Sequence, residues 1–207
     1  MHVSPLALGF HGCEKSVGER VLRGETDLQR DDQEYHWLGF GVYFWENSLD
    51  RAIEWAWYVK EHPKYFKTRI LTPFVIGAII NLGNCLDLTE AENLRFVKAA
   101  HDDLRDTFAK AGKPFPENEP GFRNDRDLVK RGRDCAVINH AHFLRNQNRH
   151  LPRFDTVRSP FFEGRKLYEG GGIRAKTHVQ ICVRNPATAI VGYFRPRRAQ
   201  TFSLHFS

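Results

Sequence analysis

The apolar positions change period several times in the first 60 residues. Leu6–Phe10 is a short apolar run that stops at His11-Gly12 and reads as a strand. Glu14–Arg23 reads as a helix, with Val17, Val21 and Leu22 on one face and Gly24 as the stop. Residues 25–36 are acidic and turn-like, the composition of a surface loop. Trp37–Trp45 resumes as a strand interrupted by Gly39 and Gly41. Asn47 or Ser48 then caps a helix over Leu49–Lys60, whose Leu49, Ile53 and Ala56 recur at helical spacing toward a core. Arg51, Trp55 and Tyr58 form a second row on that helix, the pattern of a segment lining a pocket.

Further along, Pro73–Leu82 is a continuous apolar run that reads as a buried central strand. Thr89 with Glu92 makes a capping box for a helix reaching about Gly112, with Leu94, Val97, His101, Leu104 and Phe108 as its stripe. Lys113–Phe122, rich in Pro, Glu and Asn, reads as an exposed loop, and Arg126–Gln147 as a helix despite Gly132. Phe154–Phe162, His178–Arg184 and Ala189–Phe194 read as strands. Glu163–Lys176, between the first two, contains Gly170-Gly171-Gly172 and is expected to be mobile. Six or seven short strands with four helices clustered between the early strands make an α+β arrangement rather than regular βαβ alternation. No linker or internal repeat divides the chain, so residues 1–207 are expected to form a single domain.

A chain of 207 residues with 41% hydrophobic content, 16 Phe and 4 Trp can fill a sizeable core, which excludes a disordered chain. No basic leader precedes an apolar segment and no apolar run reaches membrane-spanning length, so the expected location is the cytoplasm, with no membrane partner. Cys13, Cys85, Cys135 and Cys182 are scattered without a CxxC pair, which favours reduced, structural cysteines. Cys135 with His140 and His142 has a spacing zinc could use, but a helix carrying one buried Cys and two His is the favoured reading, and no metal is expected. No phosphate-cradling loop, nucleophile elbow or H-E-x-x-H occurs. Residues 121–207 hold 17 Lys and Arg against 6 Asp and Glu, a net of +11; the first 120 hold 14 against 19, a net of −5. A basic second half suits a polyanion, either nucleic acid or the pyrophosphate of a dinucleotide, and equally a solvated arginine-rich surface.

Leu8-Gly9-Phe10-His11-Gly12-Cys13 and Gly39-Phe40-Gly41-Val42-Tyr43-Phe44 together resemble the opening of the ADP-ribosyltransferase signature, in the branch shared by diphtheria toxin and the poly(ADP-ribose) polymerases. In that family a histidine and an aromatic ring grip nicotinamide adenine dinucleotide. The resemblance implies a single-domain fold of split mixed and antiparallel sheets with flanking helices around an NAD cleft. It implies NAD+ as co-substrate, with His11 on the adenosine-side ribose, the Gly12 backbone on the nicotinamide amide, and Tyr43 stacked on the nicotinamide ring, with Gly41 easing close approach. Trp55, twelve residues after Tyr43, or Tyr58 would close the sandwich. The family's third residue, usually Glu, stands on a late strand after a substrate-reading loop; here Gln180 occupies that place.

Glutamine hydrogen-bonds a ribose hydroxyl but offers no negative charge to an oxocarbenium-like ribose, so the resemblance implies mono-transfer rather than polymer elongation. His178, two residues earlier, stands where relatives contact substrate; Arg174 and Glu169 join it as candidate substrate residues, and the general base stays open between Glu163 and Glu169. The pattern is similar to compact bacterial toxins or phage-defence effectors, with a neutralising antitoxin as a further possible partner. Arginine-rich stretches at Arg123–Arg133, Arg145–Arg158 and Arg195–Arg198, with Phe161, Phe162 and Tyr168 to stack on an unpaired base, favour a nucleic acid acceptor, an RNA or DNA base. A protein side chain as acceptor, plain NAD+ hydrolysis, or a non-catalytic nucleotide-binding relative are the alternatives.

Overall fold

The computed structural model describes residues 5–120, 128 and 130–197. Strand β1 (Leu6–Glu14) runs into helix α1 (Lys15–Leu22), then β2 (Val42–Glu46) into α2 (Leu49–Glu61). Strands β3 (Pro73–Asn81) and β4 (Cys85–Asp87) precede the long α3 (Ala91–Lys110). The short β5 (Asn118–Glu119) and β6 (Lys130–Arg131) lead to α4 (Gly132–Gln147). Strands β7 (Thr156–Phe161) and β8 (His178–Val183), a one-turn α5 (Pro186–Ala189) and β9 (Ile190–Phe194) complete the order. No described helix is long and apolar enough to cross a membrane.

Seven strands form one sheet in the order β4-β7-β8-β2-β1-β3-β9, and β5 pairs with β6 in a separate ribbon. The β4–β7 pair is parallel and the other pairs of the large sheet are antiparallel. The sheet is therefore mixed and continuous by hydrogen bonding, where split sheets were expected. The nine-residue β1–β3 ladder explains the continuity: Leu6 pairs with Asn81 and Glu14 with Pro73, so the two longest strands stitch the outer strands together.

Strand pairing assigns the faces. Ala7, Phe44, Ile76, Ala78, Ile80, Ile181 and Val183 lie buried on one face, under Val21 of α1 and Leu28 of the following loop. The opposite face carries α2 over β1, where Gly12 lies against Ala52 and Ala56, and a second core of Leu38, Leu86, Ile138, Phe154, Val157 and Cys182. At about 25 cal/mol per Å² of apolar surface, each fully buried Ile or Phe stabilises by roughly 1.5–3 kcal/mol.

Several boundaries differ from the periodic reading. β1 continues through His11 to Glu14 because its β3 partners continue. Residues 37–41 form a turn rather than strand, since Gly39 sits at φ 78° and Tyr43 holds the turn from below. The Thr89–Glu92 box does not form: Thr89 Oγ1 donates to Asp87 Oδ1 at 2.7 Å, and α3 starts two residues later. Leu94 leaves the α3 stripe and is 50% exposed, while Ala100 and Leu104 are buried. α4 begins at Gly132, with Lys130–Arg131 of the expected helix in β6; its residues 126, 127 and 129 lie outside the described residues.

Candidate functional site

Strands β1, β2 and β8 are neighbours, so His11, Tyr43 and Gln180 stand on three adjacent strands. The β1–β2 ladder is short: it pairs Gly9 with Glu46 and Phe10 with Trp45, and ends there. Beyond it, His11 Nδ1 lies 2.8 Å from the Tyr43 carbonyl oxygen, a side chain bridging two strands where the ladder has stopped. A carbonyl only accepts, so Nδ1 carries the proton, and Nε2 of the neutral ring is left as an acceptor. Burial lowers the His11 pKa from its ordinary 6.5, opposed by that carbonyl and by the Asp31 carboxylate.

The register also settles which way Gly12 faces. The Lys15 N–H bonds to Thr72 O, in line with odd-numbered β1 residues directing their backbone to β3, whereas Leu8 O accepts from Asn47 N on the β2 side. The Gly12 N–H and C=O therefore point toward β2, past the end of the ladder. Its absent side chain matters on the perpendicular axis: a Cβ there would lie 2.7 Å from Ala52 O, 3.0 Å from Trp55 Cε3 and 3.1 Å from Ala56 Cβ. Backbone cannot yield as a flexible side chain does. Gly12→Ala is expected to lower stability by about 1–3 kcal/mol through displacement of α2, measured by urea unfolding; an unchanged midpoint would contradict this close packing.

His11 and Tyr43 do not face the same side. His11 packs at 5.7 Å from the Phe44 ring on the α1 face, whereas Tyr43 belongs to the opposite core with Cys182 and Leu38. The Tyr43 hydroxyl donates to Gly39 O at 2.8 Å and accepts from Leu38 N at 3.0 Å. Its ring meets His36 edge-on at 4.9 Å, and burial raises its pKa well above 10. Tyr43 thus ties the 36–41 turn down as well as lining the region. Gly41 serves β8 rather than a ligand, because a Cβ there would sit 2.5 Å from Cys182 Sγ and 2.6 Å from Val183 O.

Trp55 stands over Gly12 with its ring 5.6 Å from Trp45 and 6.3 Å from Phe66. Tyr58, one turn on, stacks with His62 at 4.2 Å and meets Phe66, toward the end of α2. Trp55 is therefore the aromatic residue of that row brought beside Gly12.

Gln180 pairs with Trp45 across β2–β8 and with Ser159 across β7–β8. Its Oε1 accepts from Trp37 Nε1 at 2.7 Å. The indole only donates, so the bond fixes the amide with its oxygen on Trp37 and its NH2 turned elsewhere. Trp37 packs on Phe161 at 4.7 Å, and the Arg131 guanidinium lies 4.9 Å from the Phe161 centroid. Sequence reasoning missed Trp37 as the partner; the signal available was an indole N–H in an apolar setting, which needs an acceptor.

His178 is buried between Phe161, at 5.3 Å, and Trp45, at 6.4 Å. Its Nδ1 donates to Lys176 O at 2.7 Å, and burial pulls its pKa down to about 4. Glu163 accepts from Arg51 Nη2 at 2.6 Å, an ion pair in which both side chains are at most 20% exposed. That pair fastens the base of the 163–176 segment to α2. The segment folds back on itself as a hairpin: Lys176 N bonds to Glu163 O, Ala175 N to Arg165 O, and Leu167 N to Ile173 O. Arg174 Nη1 closes it on Gly164 O, and Glu169 is exposed at its tip.

The basic surplus is partly spent inside the fold. Arg158 grips Glu46 and Asp87, the half-buried Arg184 donates to Phe40 O and Asn139, and at the surface Arg195 pairs with Glu19. Arg149, Arg153, Arg165, Lys166, Lys176 and Arg197 remain exposed. Arg123 and Arg126 of the first arginine-rich stretch and Arg198 of the last lie outside the described residues. Cys135 and His142 are buried while His140 binds Asp103 of the neighbouring α3, and no cluster of three metal-ligating residues occurs among the described residues. A groove of about 310 Å³ runs between Leu49, Trp57, Phe74 and Arg195 and reaches Ala56 and Val75, which neighbour Gly12.

Comparison with known proteins finds a relative in an archaeon. An uncharacterised protein of Methanocaldococcus jannaschii is 29% identical over 198 residues, covering 86% of this chain and 82% of its own. No family model matches the chain, and no solved structure matches it.

Proposed function

We propose that this chain cleaves NAD+ at the nicotinamide–ribose bond and transfers a single ADP-ribose to a nucleic acid, an RNA or DNA base. The observation carrying the reading is the strand divergence past Phe10–Trp45. At that opening His11 meets a ligand from one face, while the Gly12 backbone and Trp55 meet it from the other. His11 Nε2 accepts a hydroxyl of the adenosine ribose, Gly12 pairs with the nicotinamide carboxamide, and Trp55 covers the nicotinamide ring. Tyr43 sets the carbonyl that orients His11. As the C1′–N bond breaks, its electron pair leaves with nicotinamide, which is neutral on departure and needs no acid. The ribose becomes oxocarbenium-like, and positioning supplies most of the barrier reduction.

Gln180 fits a mono-transferase. With Oε1 held by Trp37, its NH2 donates to a ribose hydroxyl oxygen and offers no charge to the cation. The test is nicotinamide release from labelled NAD+. Gln180→Ala is expected to slow release by on the order of tenfold or more. Gln180→Glu is expected to raise it above wild type, because one carboxylate oxygen keeps the Trp37 bond while the other faces the cation. No release by wild type would sink the reading.

The acceptor assignment rests on the exposed cations of the second half and on Phe162 and Tyr168, exposed on the hairpin that contains Lys166. Labelling of RNA or DNA should fall steeply with salt; a flat response with label in protease-sensitive material would favour a protein acceptor. In a cell such an activity acts as a toxin or anti-phage effector, held in check by a neutralising protein.

A further inference from the structure

A row of rings leads outward from Gly12 along the end of α2. Trp55, against Gly12, meets Phe66 at 6.3 Å, and Phe66 meets Tyr58 at 5.8 Å. Tyr58 stacks on His62 at 4.2 Å, and His62 meets Tyr65 at 6.2 Å. Each of these last rings is inclined by only 30° or 32° to the one before, so they form a loose column. It ends on Tyr65, which is 60% exposed. The outer half is pinned by backbone: His62 N and Nδ1 both donate to Tyr58 O, at 3.0 and 2.9 Å, and Tyr65 N donates to His62 O at 3.1 Å. A single exposed ring is ordinary. A ring held at the end of such a column is a preorganised platform.

The charge around Tyr65 is of one sign. Residues 62–72 hold Lys64, Lys67 and Arg69 and no acid, although the first 120 residues carry a net of −5. All three cations are exposed, with no ion pair among the described residues. The neighbouring Glu14 carboxylate is turned onto the N–H groups of Leu71 and Thr72. Lys64 and Lys67 lie one and two residues from Tyr65, and two residues of chain span at most about 7 Å. Both ammonium groups therefore reach phosphates flanking a base that rests on the ring.

We propose that Tyr65, with Lys64, Lys67 and Arg69, docks an unpaired nucleic acid strand, one base stacking on the ring while the phosphates meet the cations. The combination selects the partner. A duplex keeps its base faces covered, and an acidic protein offers charge without a face for the ring. The inference rests on the nucleic acid acceptor of the proposed function and adds a surface that brings the strand onto the α2 side, where the rings run back to Trp55.

The test measures binding without NAD+, by fluorescence anisotropy of labelled oligothymidylate, its duplex with oligoadenylate, and labelled polyglutamate. Wild type is expected to bind the single strand most tightly. Tyr65→Ala should weaken that binding about tenfold, and Tyr65→Trp should keep it. Lys64→Ser, Lys67→Ser and Arg69→Ser together should lower the slope of log affinity against log salt by about 2. The same charge removed around α3, by Arg95→Ser, Lys110→Ser and Lys113→Ser, should leave affinity and slope near those of wild type. Unchanged affinity in Tyr65→Ala, equal binding of the duplex or polyglutamate, or an equal loss in the α3 variant overturns the platform and leaves NAD+ cleavage untouched. The expected binding without nicotinamide release from NAD+ upholds the platform and overturns the cleavage reading alone.

Discussion

His11→Ala is expected to lower nicotinamide release from NAD+ by on the order of 100-fold. The side chain makes one hydrogen bond, to the Tyr43 carbonyl, and its loss costs about 1 kcal/mol of stability, so the fold should persist. The activity loss should exceed the stability loss because the proposed function gives Nε2, the acceptor of the neutral ring, the contact with the ligand. Protonation of that nitrogen abolishes acceptance. Burial lowers the His11 pKa from 6.5, so the wild-type rate should hold through neutral pH and decline only below 6.5. Initial rates across pH for wild type and His11→Gln check this. A wild-type limb at or above 6.5, or an identical limb in the glutamine variant, would contradict the role given to Nε2.

The second large effect is on acid stability. His142 is 4% exposed, and burial, with the Arg184 and Arg30 charges, drives its pKa down to about 3; His178 is brought to about 4. An unfolded histidine takes its proton near 6.5. Between that value and the folded ones, the unfolded chain binds more protons, so stability rises with pH there. The stabilisation is complete above about pH 6.5 and is lost as pH falls toward 4 and then 3. Each group contributes about 3 kcal/mol or more across that window. His142→Leu should move the acid-unfolding midpoint to lower pH. At pH 7 it should change stability little, since His142 Nε2 is buried without a partner. Circular dichroism followed from pH 8 to pH 3 checks both halves; an unshifted midpoint would remove His142 from the account.

The parts of the fold readable in the sequence were those with strong local periodicity. α2 ends within one residue of its apolar pattern, and β3 matches the run Pro73–Leu82 closely. The short β4, β5 and β6 carry two or three residues each, too few for a period to register. At the candidate site, the closeness of Trp55 to Gly12 was legible because glycine spacing and aromatic rows are local signals. The Trp37–Gln180 bond spans 143 residues and Arg51–Glu163 spans 112, so neither has a local trace. The same limit explains why Tyr43 looked like a stacking residue and proved also to be the peg of a turn. Strand alternation separates His11 from Tyr43, but the sequence alone did not disclose where the ladder would end. The triple glycine marks the far end of that hairpin, whose hydrogen-bonded sides are set by pairings the glycines do not announce.

The β2–β8 pairing has a consequence in time. Tyr43 meets Cys182 in that ladder, so the central strand waits for a partner made more than 130 residues later. A chain emerging from the ribosome forms the β1–β3 ladder early, and with it His11 and Gly12, while Trp45 still has an unzipped edge. Closure requires the long-range loop to be drawn in, a slow step set by contact order. The candidate site therefore comes together only with the last strands of the sheet, and a nascent chain stopped before His178 has neither Gln180 nor the β8 partner of Trp45.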